Sequence, residues 1–144
     1  MITYHIVLIL LLLWTVFNSF FMPKLRNRQL PEYPLVSILI PLRNEEKNAR
    51  NLVQSLKGLS YPNLEFIMLD DQSADQTREI LMHESENDSR FTILAGSDLP
   101  NGWSGKVHAC HQLSHKAAGD YFMFLDADVR LHPNTIESTL SLMK

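Results

Sequence analysis

Apolar residues are distributed along this chain in two different ways. From Ile2 to Met22 they run almost unbroken, with no Lys, Arg, Asp or Glu among them. From Leu35 onward they fall into short blocks separated by polar segments with helical spacing. LVSILI (35–40) is continuous and β-branched, as in a strand covered on both faces. The segment from Glu45 to Leu56 predicts a helix, with Leu52, Val53 and Leu56 on one face. Tyr61-Pro62-Asn63 reads as a turn and LEFIML (64–69) as a second strand. A second helix is expected from Ser73 to His83, opened by Ser73 or Asp75, with Ile80 and Leu81 inward. Phe91 to Leu94 is a short third strand, and Ser104 to Ala118 a helix stopped by Gly119-Asp120. YFMFL (121–125) predicts a fourth strand, buried and central in its sheet once further structure lies on its far side, and with apolar surface exposed in this piece alone. Pro133 suits the first turn of a last helix running to Lys144.

Repeated alternation of strand and helix predicts an α/β fold with a doubly wound, mostly parallel sheet. The first block is different in kind. As a helix it reaches roughly 30 Å, about one hydrocarbon thickness, and predicts a transmembrane anchor over 1–23. No Lys or Arg precedes it and no Ala-x-Ala follows it, which argues against a cleaved signal peptide. Lys24, Arg26 and Arg28 follow it instead, so the expected topology is single-pass with the later domain on the cytoplasmic side of the cell membrane. Pro31 and Pro34 mark a linker over 24–34, leaving 35–144 for the folded domain.

Composition changes this picture little. A net charge of −3 and a pI near 6.0 give no support for a nucleic-acid partner. Cys110 is the single cysteine, so no intrachain disulfide can form. The chain is 144 residues long and stops inside a helical pattern soon after the fourth strand, so it is expected to be incomplete at its C-terminus.

In an open α/β sheet, ligands sit at the carboxyl ends of the strands. Three strands here end in polar residues: Pro41-Leu42-Arg43-Asn44-Glu45-Glu46, Asp70-Asp71-Gln72-Ser73, and Asp126-Ala127-Asp128. Each alone is explicable as a cap or turn, but their convergence on one sheet edge is not. Asp126 and Asp128 follow a very apolar run and offer hard oxygens suited to Mg²⁺ or Mn²⁺ beside a diphosphate. Gly102-Trp103-Ser104-Gly105-Lys106 lacks the P-loop pattern yet can place a helix N-terminus and Lys106 near phosphate; Ser104 as a plain N-cap explains it equally well. His108, His111 and His115 share a helix face, but no further ligand sits at a spacing that favours zinc over a partly buried face.

ILIPLRNEE, DDQSADQT and FLDAD, in that order and with GWSGKVHAC between the last two, resemble family 2 glycosyltransferases of the GT-A fold. Within that family the chain is most similar to the membrane-bound branch of 4,4′-diaponeurosporenoate and hopanoid-associated enzymes. The resemblance covers about residues 35 to 144. It implies transfer of a sugar from a nucleotide-diphosphate sugar, most simply a UDP-sugar, with inversion and with a divalent metal. It places Pro41, Asn44 and Glu45 along the nucleoside pocket, with Asp70 and Asp71, joined by Ser73, reading the base or ribose. Lys106 approaches the phosphates, Asp126 serves ribose and metal, and Asp128 serves metal. Gln72 stands where the family usually has glycine. The acidic general base and the acceptor-binding motifs are expected beyond Lys144, so none of these residues is assigned as the base. An anchor beside the site favours a lipid acceptor of carotenoid, hopanoid or polyprenyl type. Two other readings compete: a non-catalytic fragment that only binds nucleotide sugar, and a haloacid dehalogenase-like phosphatase with Asp126 as nucleophile.

Overall fold

The structure, a computed structural model, describes residues 2–21 and 32–143. Lys24, Arg26, Arg28 and most of the expected linker lie outside the described residues. The first helix, α1 (Ile2–Phe21), contains a span, Thr3–Phe21, long and apolar enough to cross a membrane. Its side chains from Thr3 onward all stand exposed, as an unbroken apolar surface.

The rest alternates strand and helix: β1 (Val36–Leu42), α2 (Glu46–Lys57), β2 (Leu64–Asp70), α3 (Thr77–Ser85), β3 (Phe91–Ala95), α4 (Gly105–Ser114), β4 (Tyr121–Phe124) and α5 (Thr135–Leu140). The four strands form one parallel sheet in the order β3-β2-β1-β4. β1 is paired on both edges and covered on both faces, and Ile38, Leu39 and Ile40 are fully buried. One face packs Ile38, Ile40 and Leu42 against Leu52, Val53 and Leu56 of α2, Leu81 of α3 and Ile136 of α5. The other face packs Leu39, Ile67 and Leu69 against Ala109 and Leu113 of α4. Each such side chain contributes about 1.5–3 kcal/mol by leaving water. This two-sided burial is why the first two strands read as continuous apolar runs.

β4 is less covered than β1 and β2. Among the described residues it is an edge strand, paired with β1 alone, and Tyr121, Phe122 and Phe124 are 36 to 51 % exposed. An apolar run reports that a strand can be covered, not how many neighbours it has. Two helices start or stop differently from the expectation. α3 begins at Thr77: Ser73 Oγ accepts from Asn44 N–H, while Asp75 bridges two helices, its Oδ2 accepting from Glu46 N–H of α2 and its Oδ1 from Thr77 N–H of α3. α4 ends at Ser114, short of Gly119-Asp120, which open β4 instead.

Gly119 is required there for close approach. Its N–H donates to Ser37 Oγ (2.9 Å), and Ser37 Oγ in turn donates to Glu65 Oε1 (2.5 Å), which also accepts from Ala118 N–H (2.7 Å). Asp120 completes the junction, its Oδ2 accepting from Leu35 N–H (3.0 Å). A Cβ on Gly119 would stand 2.5 Å from Ser37 Oγ, 2.8 Å from Ser37 N and 2.9 Å from Leu35 O. Two of those neighbours are backbone and cannot rotate away. Gly119→Ala is therefore expected to destabilise the domain by about 1–3 kcal/mol, as overpacking does, read as a lower thermal midpoint of the detergent-solubilised chain; an unchanged midpoint would show that β4 can slide on β1 without cost.

Candidate functional site

The strand order puts β1 between neighbours reached in opposite directions: the chain leaves toward β2 and β3, then returns over the other face to β4. Connections diverge at such a reversal, leaving a crevice at the carboxyl ends of the two strands. A cleft of about 410 Å³ lies there. β1 contributes Pro41 and Leu42, and the following loop Arg43 and Glu45; the residue after β2 is Asp71; α4 contributes Gly105, Lys106 and Ala109; and the segment after β4 contributes Asp126, Ala127 and Asp128.

A turn just after β4 aims the last group, with Val129 N–H donating to Asp126 O (3.2 Å). Leu125 and Ala127 are buried in the core, while Asp126 and Asp128 line the cleft. Lys106, in the first turn of α4, reaches across to Asp126, with Nζ 2.7 Å from Oδ1. That hydrogen bond and the charge behind it hold the Lys106 ammonium above its ordinary range. On the opposite wall Arg43 Nη1 lies 3.8 Å from Asp71 Oδ2.

Asn44, Asp70 and Ser73 stand behind the cleft, in the frame that fixes it. Asn44 adopts a left-handed φ of 56°, which Asn tolerates. Its N–H donates to Ser73 Oγ (2.9 Å), while its Oδ1 accepts from Ala74 N–H (2.8 Å). Glu45 N–H donates to Thr77 Oγ1 (2.8 Å) and Glu46 N–H to Asp75 Oδ2 (3.2 Å), so the β2–α3 loop caps α2 from outside. Asp75, bonded first of all by the Thr77 hydroxyl, has its carboxyl held below the usual range. Asp70 is buried and accepts from Ser73 N–H (3.3 Å), and Asp71 N–H donates to Leu42 O (2.8 Å). The two strand ends are thus one hydrogen-bonded unit. Pro41, Glu45, Asp71, Lys106, Asp126 and Asp128 meet around the cleft; the other three expected residues position them.

Arg43 was not singled out from the sequence, although it stands in the same strand-end segment; an exposed arginine in a loop carries no signal until its neighbours are known. Ser104 occupies the N-cap position of α4, but its side chain makes no capping bond. The histidines fall outside the cleft. Trp103 packs against His108 and His111, with ring centroids 5.6 and 5.0 Å apart, and His108 accepts or donates through Nδ1 to Gln112 (3.2 Å). Among the described residues no three His, Cys, Asp or Glu side chains are grouped to hold a metal. The Asp126–Asp128 pair fits a different chemistry. Mg²⁺ and Mn²⁺ are commonly held by one or two carboxylates, with waters and substrate phosphate completing the shell.

The family model described as Glycosyl transferase family 2 matches residues 37–144, a stretch that includes every residue of the cleft. The chain belongs to glycosyl transferase family 2. The 4,4′-diaponeurosporenoate glycosyltransferase of Staphylococcus haemolyticus is 36 % identical over 97 residues, 67 % of this chain but 25 % of that protein. The chain therefore spans about a quarter of that relative's length. Among solved structures, the mannosyltransferase PcManGT from Pyrobaculum calidifontis in complex with GDP-Man and Mn²⁺ superposes with a TM-score of 0.73 at 20 % identity, over 91 % of this chain and 38 % of that one. The Mycobacterium tuberculosis glucosyl-3-phosphoglycerate synthase, in complex with Mn²⁺, UDP and glucosyl-3-phosphoglycerate, superposes with a TM-score of 0.56 at 26 % identity, over 70 % of this chain and 36 % of that one. The fold is accordingly that of the GT-A glycosyltransferases. The phosphatase reading, which rested on Asp126-Ala127-Asp128 alone, finds no support in these likenesses.

One departure from the family pattern has a measurable cost. Gln72 holds a φ of 55°, the left-handed conformation that glycine takes freely, and donates through Nε2 to Asp98 Oδ1 (2.8 Å). For a residue with a Cβ this conformation costs about 1–2 kcal/mol, against an exposed hydrogen bond worth about 1 kcal/mol or less. Gln72→Gly is expected to raise stability by about 0.5–1 kcal/mol, and Gln72→Ala, which keeps the strain and loses the bond, to lower it. Denaturant midpoints of the three chains check the order; a glycine variant weaker than the parent would show that the bond to Asp98 outweighs the strain.

Proposed function

We propose that the cleft binds the nucleotide diphosphate of a sugar donor together with Mg²⁺ or Mn²⁺, and that the whole protein transfers the sugar, with inversion, to a lipid acceptor at the cytoplasmic face of the membrane. The observation that carries this reading is the charge of the cleft. Four acids line it, Glu45, Asp71, Asp126 and Asp128, against two bases, Arg43 and Lys106. A bare diphosphate entering this surplus of carboxylate would be repelled, whereas one carrying a divalent cation would be matched. When bound, the metal supplies neutralisation of charge developing on the diphosphate leaving group.

The chain's own residues divide the remaining work. Asp126 and Asp128 supply the hard oxygens for the cation, and Asp126 also faces the ribose. Lys106, at the start of α4, supplies a positive charge and adjacent backbone N–H groups for phosphate. Pro41 and Glu45 form the nucleoside wall, with Asp71 as acceptor for base or ribose hydroxyl; Asp70, Asn44 and Ser73 hold that wall in place. The nucleotide complexes of the structural neighbours support a nucleotide-sugar ligand, and we read it as a UDP-sugar. The apolar helix α1 supports the acceptor class: a domain held at the bilayer meets a carotenoid, hopanoid or polyprenyl substrate without extracting it. Of the two sides, Lys24, Arg26 and Arg28 after that helix favour the cytoplasmic one.

Two measurements test this. Calorimetry of the detergent-solubilised chain with uridine diphosphate should show binding at least about tenfold tighter with Mn²⁺ than without, a coupling of about 1.4 kcal/mol. Asp128→Asn should remove most of that enhancement, and Asp71→Ala should weaken binding in both conditions. Equal affinity with and without Mn²⁺, or an Asp128→Asn variant indistinguishable from the parent, would defeat the reading. For the topology, protease added to intact cells should leave the domain after Pro34 uncut; its digestion from outside would reverse the orientation.

A further inference from the structure

Both basic residues of the cleft are already engaged with carboxylates. Arg43 faces Asp71, and Lys106 Nζ lies 2.7 Å from Asp126 Oδ1, with Asp128 close enough for its charge to act on the same ammonium. Lys106 crosses from α4 to the segment after β4 and stands against the carboxylate that the functional reading gives to the metal. An ammonium and a divalent cation on one carboxylate repel each other, so Asp126 holds both less well than it holds either.

Building on the reading above, we infer that Lys106 is the resident cation of the Asp126–Asp128 pair, and that it exchanges Asp126 for the diphosphate as the metal-bound nucleotide enters. The chemistry of the contact suits exchange. Both side chains are more than half exposed, at 66 % and 56 %, and an ion pair so open to water is weak and easily parted. Lysine carries a point charge on a flexible four-carbon stem, so its ammonium can swing between partners without moving the helix. The backbone around it stays put: α4 is fastened to the sheet by Ala109 and Leu113, and Gln112 Oε1 accepts from both the N–H and the hydroxyl of Ser97 (2.9 Å each).

The exchange makes metal and nucleotide arrive as a unit. Metal alone weakens the hold of Asp126 on Lys106 and offers that ammonium no other partner. Metal carrying a diphosphate weakens it too, but brings phosphate oxygens for the ammonium to bind. Lys106 thereby holds down binding of the bare cation and favours the loaded donor, with no conformational change beyond one side chain.

Calorimetry on the full chain in detergent, with Mn²⁺ alone and with uridine diphosphate in the presence and absence of Mn²⁺, tests this on four proteins: the parent, Lys106→Met, Lys106→Arg and Lys116→Met. Lys106→Met should bind Mn²⁺ alone about three- to fivefold tighter, the range set by the strength of an exposed ion pair. The same variant should bind uridine diphosphate with Mn²⁺ about tenfold more weakly, as expected for a lost charge-assisted contact to phosphate. Lys106→Arg, which keeps the charge, should tighten Mn²⁺ binding less than Lys106→Met does; equal tightening would overturn the exchange. Lys116→Met removes an equal charge at the far end of α4 and should also match the parent. If Lys106→Met leaves Mn²⁺ affinity unchanged or lowers it, or if Lys116→Met tightens it equally, the exchange is wrong; should the parent still bind nucleotide more tightly with Mn²⁺, the site itself stands. If the parent shows no Mn²⁺-dependent binding of nucleotide, both the site reading and the exchange built on it fall together.

Discussion

Pairing of β1 on both edges is the constraint on which the rest of the molecule depends. With β2 on one side and β4 on the other, β1 cannot be shifted by one residue without turning Leu39 and its neighbours toward the wrong layer. Its register fixes where the strand ends fall, and therefore where the polar loops begin. Leu42 is opposite Asp70 in β2, and Leu39 opposite Phe124 in β4. Asp71 and Asp126 each lie just beyond those partners, on either side of the end of β1. The cleft is a consequence of this register together with the reversal of strand order.

The junctions hold that register by different means. Between β1 and β2 the means is hydrogen bonding, in which the β2–α3 loop lends its side-chain oxygens to the start of α2. Between β1 and β4 it is close approach, in which Gly119 lets two backbones come nearer than any side chain would allow. The first junction accepts left-handed residues at Asn44 and Gln72 as its cost. The second accepts a buried hydroxyl, Ser37, whose hydrogen bonds to Gly119 and Glu65 leave it satisfied. Neither device is large, and they act at opposite ends of the sheet: the first stands beside the cleft, the second at the amino-terminal ends of β1 and β4.

Much of this was legible in the sequence because the relevant signals are local. Strands buried on both faces must be continuous apolar runs, so β1 and β2 could be placed to within a residue or two. Chemistry in an open parallel sheet gathers at strand ends, so Asp71, Asp126 and Asp128 could be named before their geometry was known. What escaped depends on neighbours distant in sequence. The late start of α3 depends on Ser73 bonding the loop before α2 and on Asp75 being shared between α2 and α3. Gly119 reads as a helix stop from its own segment, and as a contact with Ser37 only once residues 82 positions apart are brought together. Arg43 has meaning only opposite Asp71.

A division of labour in the cleft follows from the same distinction. The carboxylates are set by backbone: Asp71 through its N–H to Leu42, and Asp126 and Asp128 through the burial of Leu125 and Ala127. Their positions are therefore settled before any ligand arrives, and little ordering remains to be done on binding. The cations are set only by their ends. Arg43 and Lys106 are both largely exposed, and each is oriented by a single carboxylate partner. A rigid ring of acids with movable bases suits a ligand that is itself a mixture of cation and anion: the acids present fixed oxygens to the cation, and the bases relocate to the anion. The reverse arrangement, fixed bases and mobile acids, would bind a free diphosphate well and would gain little from a metal.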